Sequence, residues 1–555
     1  MNPLIQVRNP TPVFLVALAV TCFIVSPTAQ ALLPSPSPDG GYPNGNTAEG
    51  DLALHNLSTG SFNTAIGLLA LFSNYFGTDN TAIGVRALFS NLATSDNTAI
   101  GSHALEAFKG FNTIGRGGNT AVGFRALASQ RDAIGNTAVG YEALSSGESG
   151  GSTAIGWGAL SQNYHSSSNT AIGYAALGWN STGSYNTATG SFALWRNITG
   201  DNNTAAGCQA LDSNTTGSYN VANGVFALSG NTTGSYNTAN GADALHNTTG
   251  SDNTATGGGA LAFNTTGSYN AANGFVALYS NSTGSGNTAT GGGALAVNTT
   301  GGYNAANGLL ALFSNTTGSA NTANGVLALY SNTSGSGNTA DGIGALLSNT
   351  TGKQNIALGP NAGYKLTTGD NNIDIGNEGV AGEANTIRIG KAGTHTNTFI
   401  AGISGAAVAG GIGVIVDSNG HLGTVVSSAR FKEAIKPMNK ASEAILALEP
   451  VIFRYKHELD PNGISQFGLV AEDVEKINPD LVVRDKEGKP YSVRYEAVNA
   501  MLLNEFLKEH RTVQELKKEI AALTATVKEQ AAQIQKVSAQ LEVKKPAPKV
   551  VRNNP

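Results

Sequence analysis

The sequence predicts a mainly β chain: a parallel β-solenoid of short repeats, then a small α+β segment, then a C-terminal coiled coil. Three observations predict it. One frame recurs about 20 times, almost always at a step of 17 residues: Asn-Thr-Ala-x-Gly, two variable residues, Ala-Leu, and a turn of the type Asn-x-Thr-Gly. Charge is segregated, with 21 of the 32 Lys and Arg in residues 427–555 and 11 in the first 426. Apolar residues alternate at steps of three and four from Val513 to Leu541.

The repeat is decisive for the first 400 residues. Frames start at Asn46, Asn63, Asn80 and Asn97, resume after an insertion at Asn119, and continue to Asn372, with one-residue contractions at Ser152 and Asn253. Seventeen residues are too few for a helical hairpin, and the copies are rich in Gly, Asn and Thr. A β-solenoid remains, with two very short strands and two turns expected per coil and a rise of about 4.8 Å. About 20 coils at that rise make a rod on the order of 95 Å. The third-position Ala (Ala65, Ala82, Ala188) and ninth-position Leu (Leu71, Leu88, Leu194) are expected inside. Gly at the fifth and fifteenth positions is expected to supply turn conformations closed to other residues. The fourth position is aliphatic early (Ile66, Ile83, Ile100) and polar later (Thr189, Asn223, Asp341), opposite the Ala row, where a second contact between protomers is one reading. Asn180, Asn197, Asn214, Asn231 and Asn315 begin Asn-x-Ser/Thr triplets, read as turn chemistry set by the period, with glycan acceptors as the alternative.

Residues 1–31 read as a secretory signal: Arg8, an apolar run from Val13 to Val25, and Ala29-Gln30-Ala31 as the cleavage site. The protein is therefore expected to be secreted or on the cell surface. The run is short of the ~20 residues that span a bilayer, so no membrane-spanning segment is expected in the mature chain. Residues 32–45 form a Pro-rich leader. Of the two cysteines, Cys22 lies in the signal, so Cys208 would remain as a single thiol without an internal disulfide. The eight scattered histidines give no metal site, no cofactor motif stands out, and a net charge of −5 gives no reason to expect nucleic acid as partner.

Beyond the repeat and a connector at 403–426, the text becomes charged and non-repetitive. Glu443–Leu448 has helical spacing and Val451–Tyr455 reads as a strand. Phe467–Val470 reads as another strand, Ala471–Ile477 as a short helix, and Leu481–Val483 with Tyr491–Val493 as a hairpin around Glu487-Gly488. A long helix is expected from near Tyr495. Its heptads place Val513, Ile520, Val527, Ile534 and Leu541 at one core position, and Leu516, Leu523, Gln530 and Val537 at the other. Core identity alone, β-branched residues at one position with Leu at the other, leans towards a dimer, and Gln530 suits a dimer or a trimer. The coiled coil is assigned to 505–543, and 544–555 is a basic, Pro-containing tail.

Two resemblances follow from these motifs. Asn-Thr-Ala-Ile-Gly resembles the head repeats of trimeric autotransporter adhesins over residues 46–402, which implies a left-handed parallel β-roll associated in threes. Ser427-Ser-Ala-Arg-Phe-Lys432, Leu448-Glu-Pro-Val451, Phe453-Arg-Tyr455, Gly468-Leu-Val-Ala-Glu-Asp-Val474, Pro479-Asp-Leu-Val482 and Val493-Arg-Tyr495 resemble the intramolecular chaperone auto-processing domain of phage tail spikes and fibres. That resemblance places the domain at 427–504. It implies a homotrimer, and a serine peptidase that cuts its own chain once through a Ser-Lys dyad. Ser427 matches the nucleophile and Lys432 the base, with the cut between Val426 and Ser427 and with Ser428 and Arg430 in support.

The residues suit this chemistry. A serine hydroxyl needs a base to take its proton, and lysine serves as one only when neutral, which burial or a nearby positive charge favours. A step of five residues lets the two side chains meet across one turn. The expected function is a secreted trimeric fibre, matured by its C-terminal chaperone, whose head would meet a cell-surface or glycan ligand. The alternative is a structural rod that keeps the C-terminal domain, uncut, as a trimer clamp. No carboxylate pair, metal cluster or phosphate loop suggests an enzyme acting on an outside substrate.

Overall fold

The structure, a computed structural model, describes residues 42–110, 116–403, 406, 408–417 and 419–543. The signal segment, residues 32–41 of the leader and the basic tail lie outside the described residues. Two compact units divide the chain, Met1–Thr398 and Phe399–Pro555.

In the first unit the second to fourth residues of each frame form a three-residue strand, from Thr47–Glu49 onward to Ile387–Ile389. These strands make one 21-stranded sheet. Each runs parallel to the next with like positions stacked: Thr64 beside Thr81, Ala65 beside Ala82, Ile66 beside Ile83. Irregular steps leave the register intact. The long step still pairs Thr98 with Thr120, and the contractions still pair Thr137 with Thr153 and Thr238 with Thr254. The frame-like stretch Asn397–Gly402 adds no strand, so pairing stops at Ile389, short of the expected 402.

Strand alternation turns the first and third residues of each frame inward. From the second coil to the Asn338 coil the third-position Ala and ninth-position Leu are fully buried, as at Ala188 and Leu194, and so is the frame's leading residue, an Asn in all but one coil. The fourth position faces out, half-exposed at Ile83 and exposed at Asn223.

The far wall of the coil differs from expectation. Among the described residues a second strand forms only as the two-residue pair Gln162–Asn163 with Trp179–Asn180. Elsewhere the wall is a chain of turns in which the seventh and ninth residues are left-handed, as at Leu69 (φ 59°) and Leu71 (φ 49°). That conformation costs a non-glycine residue about 1–2 kcal/mol. Bonds between coils hold it, Leu69 N donating to Asp51 O at 2.9 Å and Leu71 N to Ala87 O at 3.0 Å. The alternating handedness turns the ninth-position Leu into the core.

The interior also holds asparagine. In the coil of Asn169, the amide of Asn169 donates to Gly183 O at 2.9 Å, and that of Asn180 donates to the same oxygen at 2.7 Å. Asn180 further donates to Asn163 Oδ1 at 2.7 Å, while Asn169 Oδ1 accepts from Asn186 N at 2.9 Å. Two asparagine columns therefore run up the rod, both bonded to the carbonyl of the fifteenth-position Gly. The triplet asparagines Asn180, Asn197, Asn214, Asn231 and Asn315 belong to the second column and are fully buried, which rules out the glycan reading. In the contracted coil Thr248 takes this place, its Oγ1 accepting from Asn264 at 3.1 Å.

The two glycine positions serve different needs. The fifth is left-handed, as at Gly190 (φ 135°). The fifteenth is not, contrary to expectation: where it is glycine, as at Gly183, neighbouring atoms leave no space for a side chain. A Cβ on Gly183 would lie 2.3 Å from Gly200 O and 2.4 Å from Asn197 Nδ2.

At the end of the solenoid Asp374 replaces the inward Ala. It is buried, and neither carboxylate oxygen has a hydrogen-bond partner. Burial, with the Glu383 carboxylate nearby, pushes its pKa up to about 6 despite Arg388. Half-buried ion pairs surround this end: Arg388 to Glu383 at 2.7 Å, and Glu378 to Lys365 and Lys391 at 2.7 and 2.6 Å.

The second unit is small. A hairpin pairs Val414–Val416 with Leu422–Thr424, and another antiparallel pair joins Val451–Phe453 to Gln466–Gly468. Asn439–Ala447 is a 3₁₀ stretch, Ala471–Ile477 a short α-helix, and Val482–Arg484 pairs with Pro490–Val493 across a bulge. A 49-residue helix, Tyr495–Val543, closes the described chain. Val474, Leu481, Val482, Val493 and Met501 form the core. Gly468 makes room for Tyr495, whose hydroxyl accepts from Leu469 N at 3.0 Å; a Cβ on Gly468 would lie 2.9 Å from that hydroxyl. Among the described residues no helix is long and apolar enough to cross a membrane.

Two outcomes test this interior. Leu194→Asp places an unpaired charge in the packed row and should cost about 4 kcal/mol, seen in denaturant melts as early local opening; a wild-type melt would refute the inward assignment. Asp374→Ala should raise the melting temperature. Because the folded pKa lies above the unfolded value of about 3.8, the penalty is present when Asp374 is ionised above about pH 6 and fades as pH falls towards 4. The gain should therefore be largest at pH 8 and small at pH 4, and an equal gain at both would count against a buried ionising group.

Candidate active site

The candidate residues follow the hairpin ending at Thr424. The chain is extended at Ser428 (φ −62°, ψ 140°) and then makes a single 3₁₀ turn, Ala429–Phe431. Phe431 N donates to Ser428 O at 3.0 Å and Lys432 N to Ala429 O at 3.1 Å. The turn folds the five-residue step back on itself, and Lys432 Nζ donates to Ser427 Oγ at 3.2 Å. The two residues read from the sequence as nucleophile and base are thus within hydrogen-bond reach. Protonated, the lysine donates to the hydroxyl; neutral, it can accept the hydroxyl proton across the same contact.

The supporting residues are arranged differently from each other. Arg430 lies over the Phe431 ring, its guanidinium carbon 4.6 Å from the centroid. Ser428 caps the turn without a side-chain hydrogen bond. Ser427, Lys432, Val426 and Phe431 are all exposed, so the isolated chain gives the lysine no apolar cover. Among the described residues no cluster of three or more His, Cys, Asp or Glu is placed to hold a metal ion.

One polar cluster has no signature in the sequence. Ser442 is fully buried, and its Oγ contacts Glu505 Oε1, with Asn504 Nδ2 at 2.6 Å and Lys508 Nζ at 3.5 Å. Lys508 and Ser442 hold the Glu505 carboxyl below the usual carboxylate range, and Glu505 raises Lys508 in turn. The cluster fastens the 3₁₀ stretch that follows the Ser-Lys turn to the long helix. Its members lie 62–66 residues apart, a distance at which spacing carries no signal.

The family model described as chaperone of endosialidase matches residues 427–483. The match begins at Ser427 and covers the turn, the Ser442 segment, the short helix and the first strand of the last hairpin. No curated protein and no solved structure matches the chain. Residues 427–483 are a chaperone-of-endosialidase domain, set C-terminal to a parallel β-solenoid in an arrangement consistent with tail-spike and fibre architecture.

Proposed function

We propose that this chain is the precursor of an exported, trimeric fibre whose C-terminal segment assembles three copies and then cuts the rod free at Val426–Ser427. The observation that carries the proposal is the 3.2 Å contact between Lys432 Nζ and Ser427 Oγ, located where the family match begins. Lys432 takes the hydroxyl proton as Ser427 Oγ attacks the Val426 carbonyl carbon. The C–N bond breaks, its nitrogen receives the proton as the new amino group of Ser427, and an ester remains. Water then hydrolyses the ester to the Val426 carboxylate and restores the hydroxyl. The rod ends Gly423-Thr-Val-Val426.

Two features support assembly before cleavage. The heptad residues of the long helix stand exposed, Ile520 and Leu523 among them, and such a seam buries itself only against further helices. Three parallel helices would also bring protein around a dyad that one chain leaves open, and burial favours neutral lysine. The family's association with trimers selects three over two. The Val13–Val25 run and Ala29-Gln30-Ala31 support export, and display with adhesion is the role proposed for the released head.

Folded wild-type protein should give two fragments, the smaller beginning Ser-Ser-Ala-Arg, at a rate independent of protein concentration. Ser427→Ala and Lys432→Ala should each give only full-length chain, and Ser428→Ala should still cut. Light scattering on Ser427→Ala should return a trimeric mass. A wild-type trimer that stays full length would instead establish the uncut clamp. Cutting lost in Ser428→Ala but kept in Ser427→Ala would move the nucleophile by one residue.

A further inference from the structure

The outward surface of the solenoid is not uniform. Across the seven coils that start at Asn63 to Asn169, the fourth position is aliphatic, and Ile83, Ile100, Ile155 and Ile172 are 36–40% exposed. On the other side of the stacked fifth-position glycines, the sixth position carries Phe124, Tyr141, Trp157 and Tyr174, each 41–49% exposed. From the coil of Asn186 the fourth position turns polar except at Ala206, through Thr189, Asn223 and Asn307 to Asp341. There the exposed side chains bond to one another, as Asn223 Nδ2 does to Asn240 Oδ1 at 3.4 Å.

The geometry points to these two apolar columns as the contact between copies of the rod. The inference rests on the trimeric reading above and adds where the rods touch. Area is the first argument. At some 40% of ordinary side-chain area per position, the columns expose on the order of 1,000 Å² over a length of about 34 Å. The largest apolar patch of a typical monomer is about 300–600 Å², and a partner in a stable pair contributes about 800 Å². The second argument is period. Each column repeats once per coil, and another copy of this solenoid laid parallel offers ridges with that same period.

Ring geometry points away from a sugar platform. Phe124, Tyr141, Trp157 and Tyr174 stack on one another with centroids 5.3, 5.9 and 4.9 Å apart and interplanar angles of 22°, 3° and 9°. Their faces cover each other along the rod and their edges point outward, which suits side-chain packing across an interface. The released rod would thus be held together by its first coils, far along the chain from the domain that is cut away.

The test uses the full chain with Trp179→Phe and Trp195→Phe, which leaves Trp157 as the single indole of the three. Its emission should be blue-shifted, and acrylamide should quench it several-fold less than in the same chain carrying Ile155→Asp. Asn223→Asp should leave Trp157 protected. Light scattering on each sample reports assembly separately. A trimeric mass with Trp157 freely quenched would overturn the interface while leaving the assembly reading intact. A monomeric mass for the unsubstituted chain would remove both.

Discussion

The solenoid depends on one interaction, the bonding of two buried asparagine side chains to a single glycine carbonyl, repeated in all but one of the coils from Asn169 to Asn338. Gly200 O receives Asn186 at 2.9 Å and Asn197 at 2.7 Å, and the arrangement recurs along the rod with small variation. A buried amide left without partners costs about 1–3 kcal/mol. A coil shifted by one residue would turn both its Asn and its Ala outward and break two columns together. Register is therefore set by polar satisfaction as much as by the small apolar row of Ala and Leu.

That constraint explains the composition. The glycine whose carbonyl serves both columns has no space for a Cβ, and the fifth-position glycine stacks backbone on backbone, with 2.4 Å from a Cβ on Gly190 to Gly207 O. The far wall tolerates left-handed leucine because its amides bond to neighbouring coils. Each coil contacts only the coils beside it, so variation in the outward positions leaves the core untouched. The outer positions are consequently free to carry different chemistry along the chain, the fourth being aliphatic over the early coils and mostly polar over the later ones.

The C-terminal unit obeys a different economy. Its core is a handful of side chains, its long helix carries an unfilled apolar seam, and its Ser-Lys turn is open to solvent. In the assembly proposed above, parallel copies would fill the seam and cover the turn. In the proposed order of events the same association that buries the seam covers the lysine, so chemistry follows assembly. The Ser442 cluster gives this coupling a physical path, since it ties the segment after the turn to the helix that would associate.

Much of this was legible in the residues. The 17-residue period and the Ala and Leu rows specified a stacked solenoid, because strand alternation and in-register stacking follow from local geometry. The motifs from Ser427 to Val482 specified the C-terminal domain, and the five-residue step placed Ser427 and Lys432 in reach across one turn. Tertiary structure decided the rest. It replaced the second strand by left-handed turns, and it showed that the Asn-x-Ser/Thr turn asparagines also stack into a buried column. It also showed that one of the two glycine positions answers to space instead of dihedral angle, and it joined Ser442 to Glu505 and Lys508. These features depend on what the next coil or a distant helix presents, and a linear pattern records spacing within one chain but not the neighbour that each group will meet.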